Sequence, residues 1–127
     1  MADQIHMKKK ILLLDDDPLV LKSFTKLLTT EGYDIIPTAS FKEAMAAVGT
    51  ESFDLVLSDI RMPGKNGVET VSEIQNRLVE SGKSDLPIIF ITGYAQDSIK
   101  LNANFLGEVL YKPVNNYKLL TAIRDYL

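Results

Sequence analysis

The sequence has no cysteine, and its single histidine is His6, in a polar N-terminal segment. Without cysteine there is no disulfide framework and no thiolate metal site, which fits a reducing cytoplasm. Histidine-based catalysis is excluded in practice. No apolar run approaches the roughly 20 residues that span a bilayer. The first ten residues, MADQIHMKKK, lack the apolar segment of a signal peptide. A strong excess of either charge is also missing: the formal net charge is −3, with both signs mixed along the chain. That balance leaves no basic face for nucleic acid. The one basic cluster, Lys8-Lys9-Lys10, reads as the solvated edge of a strand.

What is present is a chain of 127 residues, 46% apolar, enough for one domain with one core. Residues 1–7 read as a disordered or vector-derived N-terminus, and 8–127 as the domain. KILLL is a short, continuous apolar run, the pattern of a strand buried on both faces. DDDP follows, with Asp17 as an N-cap and Pro18 at the first helical position. Val20, Phe24, Leu27 and Leu28 form the apolar stripe of a helix that Gly32 ends. YDIIP is a second strand. SFKEAMAAVG is a helix with Ser40 and Glu43 in capping-box spacing and Gly49 as its stop.

DLVLSD is a third strand, and the loop IRMPGKNG leads into a helix from about Val68 to Glu80. PIIFITG is a fourth strand. AQDSIKLNANFLG is a weaker helix, irregular in its apolar spacing and interrupted by asparagines. EVLYKP is a short fifth strand, and NNYKLLTAIRDYL closes the chain as a helix, with Tyr117, Leu120 and Ile123 expected on one face. Five strand–helix alternations with short connections imply an α/β, doubly wound (βα)5 fold around a parallel sheet.

In such a sheet, ligands bind beyond the carboxyl ends of the strands, where the strand order reverses. Those ends carry Asp15, Asp16 and Asp17 after the first strand, Asp59 after the third, Thr92 after the fourth and Lys112 after the fifth. Taken singly, each is more often a turn, a cap or a surface residue. Asp34, Asp54 and Asp85 precede strands and fall on the opposite edge, where they are expected to be solvated. Carboxylates gathered in a partly buried place are costly unless protonated or met by a cation. An all-oxygen set suits Mg²⁺, with Mn²⁺ as the alternative. A carboxylate is also a nucleophile toward phosphorus, and a hydroxyl and an ammonium can hold the new phosphoryl oxygens.

The combination of Asp15-Asp16, Asp59 within LSDIRMPGKNG, Thr92 within FITG and Lys112-Pro113 resembles the receiver domain of two-component response regulators. The resemblance covers about residues 8–127 and implies a flavodoxin-like, CheY-like sheet of strand order 2-1-3-4-5. It implies that Asp59 is the phosphoacceptor, with Thr92 as the switch hydroxyl and Lys112 as its ammonium partner. It implies Mg²⁺ held by Asp15, Asp16, Asp59 and the backbone carbonyl of Arg61, and a cis Lys112–Pro113 bond. Gly93 takes the family's small position beside the phosphate. The expected phosphoryl donor is a phosphohistidine on a sensor kinase or phosphotransfer domain. The expected recipient of the signal is a downstream protein or an output domain, whether the chain is a stand-alone regulator or part of a larger protein. The domain itself is expected to be no enzyme, to engage neither membrane nor nucleic acid directly, and to reside in the cytoplasm.

Two departures from the family pattern stand out. The aromatic residue usual three positions before the lysine is Val109 here, and Tyr111 shares its face without taking over a switching role. Large side chains at Arg61 and Tyr94, two positions beyond Asp59 and Thr92, imply slow loss of the phosphoryl group. The competing expectation is a magnesium-dependent aspartyl-phosphate phosphohydrolase of the haloacid dehalogenase type. It would use the D-x-D spacing within DDD, but short loops leave little room for a substrate pocket.

Overall fold

The structure is a computed structural model, described over residues 8–127. The expectations placed on residues 1–7, including His6, lie outside the described residues. Five strands alternate with helices: β1 Lys10–Leu14, α1 Pro18–Thr30, β2 Asp34–Thr38, α2 Phe41–Thr50, β3 Leu55–Asp59, α3 Gly67–Glu80, β4 Ile88–Thr92, α4 Ala95–Lys100, β5 Glu108–Tyr111 and α5 Asn116–Tyr126. All neighbouring strands are parallel, and their order is β2-β1-β3-β4-β5.

Strand alternation divides the core in two. Leu12, Leu14, Val56, Ile88 and Phe90 point to one face and pack with Ala44 and Met45 of α2 and Val68, Val71 and Ile74 of α3. Ile11, Leu13, Leu55, Leu57, Ile89 and Ile91 point to the other and pack with Leu28 of α1 and Leu119, Ala122 and Ile123 of α5. This is why the strands read as continuous apolar runs: successive side chains enter two different apolar layers. Each fully buried aliphatic side chain stabilises the fold by roughly 1.5–3 kcal/mol relative to exposure.

The helix starts follow the expected chemistry. Asp17 Oδ1 accepts from the Leu19 N–H at 2.9 Å, with Pro18 at the first helical position. Ser40 Oγ accepts from the Glu43 N–H at 3.2 Å, while the Glu43 carboxylate reaches the N–H of Ala39 rather than that of Ser40. Gly32, at φ +98°, ends α1 in the left-handed region that favours glycine.

Several local expectations are corrected. Gly49 lies inside α2, which runs on to Thr50. Helix α3 keeps its expected span to within one residue, beginning at Gly67 behind an Asn66–Glu69 capping box. The inward face of α5 is Leu119, Ala122 and Ile123, leaving Tyr117 at 75% exposure. The weak fourth helix is two pieces: α4, then a 3₁₀ turn at Ala103–Phe105, separated by Asn102 in the left-handed conformation. At the N-terminal edge of the sheet, Lys10 is not merely solvated. Its Nζ lies 2.9 Å from Glu51 and 4.0 Å from Asp34, and its N–H donates to Asp54 at 2.8 Å.

Candidate functional site

The order of the sheet sets the place of the site. Strand β1 pairs with both β2 and β3, so the connections leave it on opposite sides and open a crevice at its carboxyl end. Leu14 is in register with Ser58, so the residues that follow, Asp15 and Asp59, end up side by side. Carboxylate oxygens of Asp15, Asp16 and Asp59 lie within 4.8 Å of one another. Lys112, just past β5, brings its Nζ to 3.8 Å from Asp15 Oδ2 and 3.7 Å from Asp59 Oδ1. All four line an open cavity of about 830 Å³, together with Arg61, Gly93 and Tyr94.

Burial shapes the charges. The Asp15 side chain is 4% exposed and that of Asp59 11%. Burial, reinforced by the charge of Asp15, pushes the Asp59 carboxyl up to about 6, against the pull of Lys112 and the Ile60 N–H. Burial also raises Asp15, opposed by the Asp17 N–H and by Lys112. Like charges held this close at low exposure call for a cation, and the donors are all hard oxygens of the kind Mg²⁺ prefers.

The supporting contacts include residues that the sequence pattern did not single out. Thr38, at the end of β2, accepts the Asp15 N–H on its carbonyl at 3.1 Å. Its hydroxyl donates to the Leu13 carbonyl at 2.8 Å, locking the β1 end. Nothing ionisable marks that strand end, so charge reasoning passes over it. Gly67 packs directly on the backbone of Asp59, where an added Cβ would overlap the Asp59 carbonyl oxygen. Ser58 Oγ donates to that same carbonyl at 2.7 Å. The glycine reads as a loop residue in sequence; its contact with the end of β3 exists only in the fold.

The other expected residues fall as follows. Thr92 is fully buried at the end of β4, and its Oγ1 accepts from the Tyr94 N–H at 3.1 Å. The Lys112 N–H donates to the Thr92 carbonyl at 2.8 Å, and the Lys112–Pro113 bond is cis. Gly93 is open: an added Cβ would meet the Lys112 side chain only at 4.0 Å. Arg61 lines the cavity as well, with its guanidinium paired to Asp97 and set over the ring of Tyr94. Val109 packs into the face that holds Ala103. Tyr111, as expected on the same face, places its hydroxyl 3.1 Å from Ser98 Oγ on α4.

The response regulator receiver domain family matches residues 11–124. The chain belongs to that family. It is 35% identical over 124 residues to the transcriptional regulatory protein GlrR of Escherichia coli, covering 96% of this chain and 27% of that one. It is 34% identical to the transcriptional regulatory protein CrdR of Helicobacter pylori, over 94% of this chain and 55% of the relative. The chain thus spans only part of the length of these curated relatives. Among solved structures, a CheY-like receiver domain protein of Methanospirillum hungatei matches with TM-score 0.81 and 32% identity, covering 94% of this chain and 93% of that one. The response regulator TrrA of Thermotoga maritima, in complex with Mg²⁺ and BeF, matches with TM-score 0.81 and 29% identity over 94% of this chain and 99% of that one. Receiver domains are phosphoacceptor modules of two-component signal transduction, and this chain is one of them. The phosphohydrolase alternative is not favoured. Among the described residues, no helix is long and apolar enough to cross a membrane.

Proposed function

We propose that Asp59 is the phosphoacceptor of this receiver and takes its phosphoryl group from a phosphohistidine on a kinase or phosphotransfer domain. The observation that carries this is the meeting of Asp59 with Asp15, Asp16 and Lys112 at one crevice. Asp15, Asp16, Asp59 and the Arg61 carbonyl would hold Mg²⁺, which when bound neutralises charge on the phosphoryl oxygens. With its carboxyl near 6, Asp59 is largely ionised at neutral pH and available as a nucleophile. An Asp59 oxygen bonds to phosphorus as the phosphorus–nitrogen bond breaks, and the imidazole nitrogen keeps the electron pair. The Lys112 ammonium then faces a phosphoryl oxygen in place of the carboxylates.

Thr92 is the switch hydroxyl. Its O–H now donates to the Tyr94 carbonyl at 3.4 Å, and that is the bond it gives up in donating to the phosphoryl group, which loosens the start of α4. Val109 has no ring to follow that movement, so the signal is read out differently from receivers with an aromatic residue there. The recipient is a downstream protein or an output domain, and the chain itself acts in the cytoplasm as a signalling acceptor without substrate turnover.

The test is incubation with a small acyl phosphate and Mg²⁺, read by intact mass. One added phosphoryl group, absent in Asp59→Asn, is expected. Multiple turnover of a phosphomonoester would replace this reading with that of a phosphohydrolase.

A further inference from the structure

Beside the acidic crevice, Arg61 of the β3–α3 loop meets Tyr94, the N-cap of α4, and Asp97 in the first turn of that helix. Arg61 Nε donates to Asp97 Oδ2 at 3.1 Å, and Nη2 donates to Oδ1 at 3.3 Å. The guanidinium carbon also lies 3.5 Å from the centroid of the Tyr94 ring. One planar group is therefore gripped twice, by a two-pronged ion pair at its edge and by an aromatic face.

The three residues are not equivalent. Arg61 and Tyr94 border the cavity that holds Asp59, whereas Asp97 does not and lines a smaller cavity of about 240 Å³ behind Arg61. The Asp97 side chain is 20% exposed and that of Arg61 58%. Asp97 thus grips Arg61 from the α4 side. The competing attraction is clear: Asp15, Asp16 and Asp59 are the carboxylates of the adjoining cavity, and a long, exposed cation released from Asp97 is drawn to them.

We propose that Asp97 is a positioning residue for phosphoryl persistence, holding Arg61 flat against Tyr94 across the mouth of the crevice. The proposal rests on Asp59 as phosphoacceptor. Loss of the group is hydrolysis: a water oxygen bonds to phosphorus from the side opposite the Asp59 oxygen, and the bond from that oxygen to phosphorus breaks. Asp59 regains its carboxylate, and both water hydrogens leave with the phosphate as dihydrogen phosphate. That water must come from the open side of the crevice, which the Arg61–Tyr94 stack borders. A fixed stack restricts the approach, and a released one opens it.

The test loads the chain and its variants with a small acyl phosphate and Mg²⁺, removes the donor and follows decay of the phosphorylated mass. Asp97→Asn is expected to shorten the half-life by about two- to fivefold, the range that an exposed ion pair supports. Asp97→Glu, which keeps the charge, should retain most of the lifetime. In an Arg61→Ala background, adding Asp97→Asn should change nothing further, because a residue acting through Arg61 has nothing left to position. An unchanged or longer half-life in Asp97→Asn, or a further shortening in the Arg61→Ala background, overturns the proposal. A wild-type chain that takes up no phosphoryl group overturns the phosphoacceptor assignment and this one with it. Uptake with unaltered Asp97→Asn decay overturns this one alone.

Discussion

The Lys112 Nζ stands 3.7 Å from Asp59 Oδ1 and 3.8 Å from Asp15 Oδ2, and among the described residues it is the one ammonium that serves both carboxylates. Its charge lowers the proton affinity of both. Replacing it should raise Asp59 above its present value of about 6. In Lys112→Ala, NMR titration of the Asp59 carboxyl carbon should show the upward move. Uptake from a small acyl phosphate should slow by about 10²-fold, the cost of removing one preorganised positive group from a transition state.

Stability should fall as pH rises through the acid range when no divalent cation is present. The folded chain binds the Asp59 proton more tightly than the unfolded chain does, since its carboxyl moves from 3.8 to about 6. Between those values the unfolded state is already ionised and the folded state is not, so stability decreases with pH and levels off above about 6. Asp15, raised in the same direction, adds to the slope. The Asp59 contribution is at most about 3 kcal/mol at 1.36 kcal/mol per pH unit. Denaturant titrations across this range should show it, and Asp59→Asn should flatten the profile and stabilise the chain at neutral pH.

Added Mg²⁺ should reverse that loss. A cation that binds only the folded, ionised cluster stabilises by about 2.7 kcal/mol at 100 times its dissociation constant. Thermal unfolding at pH 8 should therefore move to higher temperature with Mg²⁺ in the wild-type chain. Asp16→Asn and Asp15→Asn should blunt the response, since each removes one of three clustered carboxylates.

Gly67→Ala should be the most damaging single-methyl change near the site. The new Cβ would overlap the Asp59 carbonyl oxygen and crowd Ser58 Oγ at 2.8 Å. Overpacking of this kind costs about 1–3 kcal/mol or more. Gly93→Ala is the control, because its Cβ would meet only the Lys112 chain at 4.0 Å. Chemical denaturation should separate the two, and Gly93→Ala should remain close to the wild type.

Much of the fold was legible because each level of the chain agrees with the next. ILLL, LVLS and IIFI are strands bounded by carboxylates, glycine or proline, and the helices between them carry caps and apolar stripes. The failures are also physical. Tyr117 matched a helical period but is exposed, because α5 turns Leu119, Ala122 and Ile123 inward against the sheet. Gly49 looked like a stop but carries on as helix, since a glycine ends a helix only where the chain turns left-handed. Lys10 looked like part of a solvated run, yet it closes on Glu51 and Asp34, which are distant in sequence.

The opening triple aspartate shows the division. By itself the sequence determined that Asp17 caps α1, because a cap needs only the next few residues, and that Asp15 and Asp16 sit at a strand end. It also determined, through residue type, that the chemistry is that of oxygen donors, a hydroxyl and an ammonium. Only the tertiary structure decided that Thr38 holds the Asp15 backbone, that Gly67 makes room for Asp59, and that Asp97 pairs with Arg61. Spacing along the chain records local hydrogen bonds and periodic burial. Contacts between residues 23 and 36 positions apart arise only when the parallel sheet brings separate strand ends to one edge.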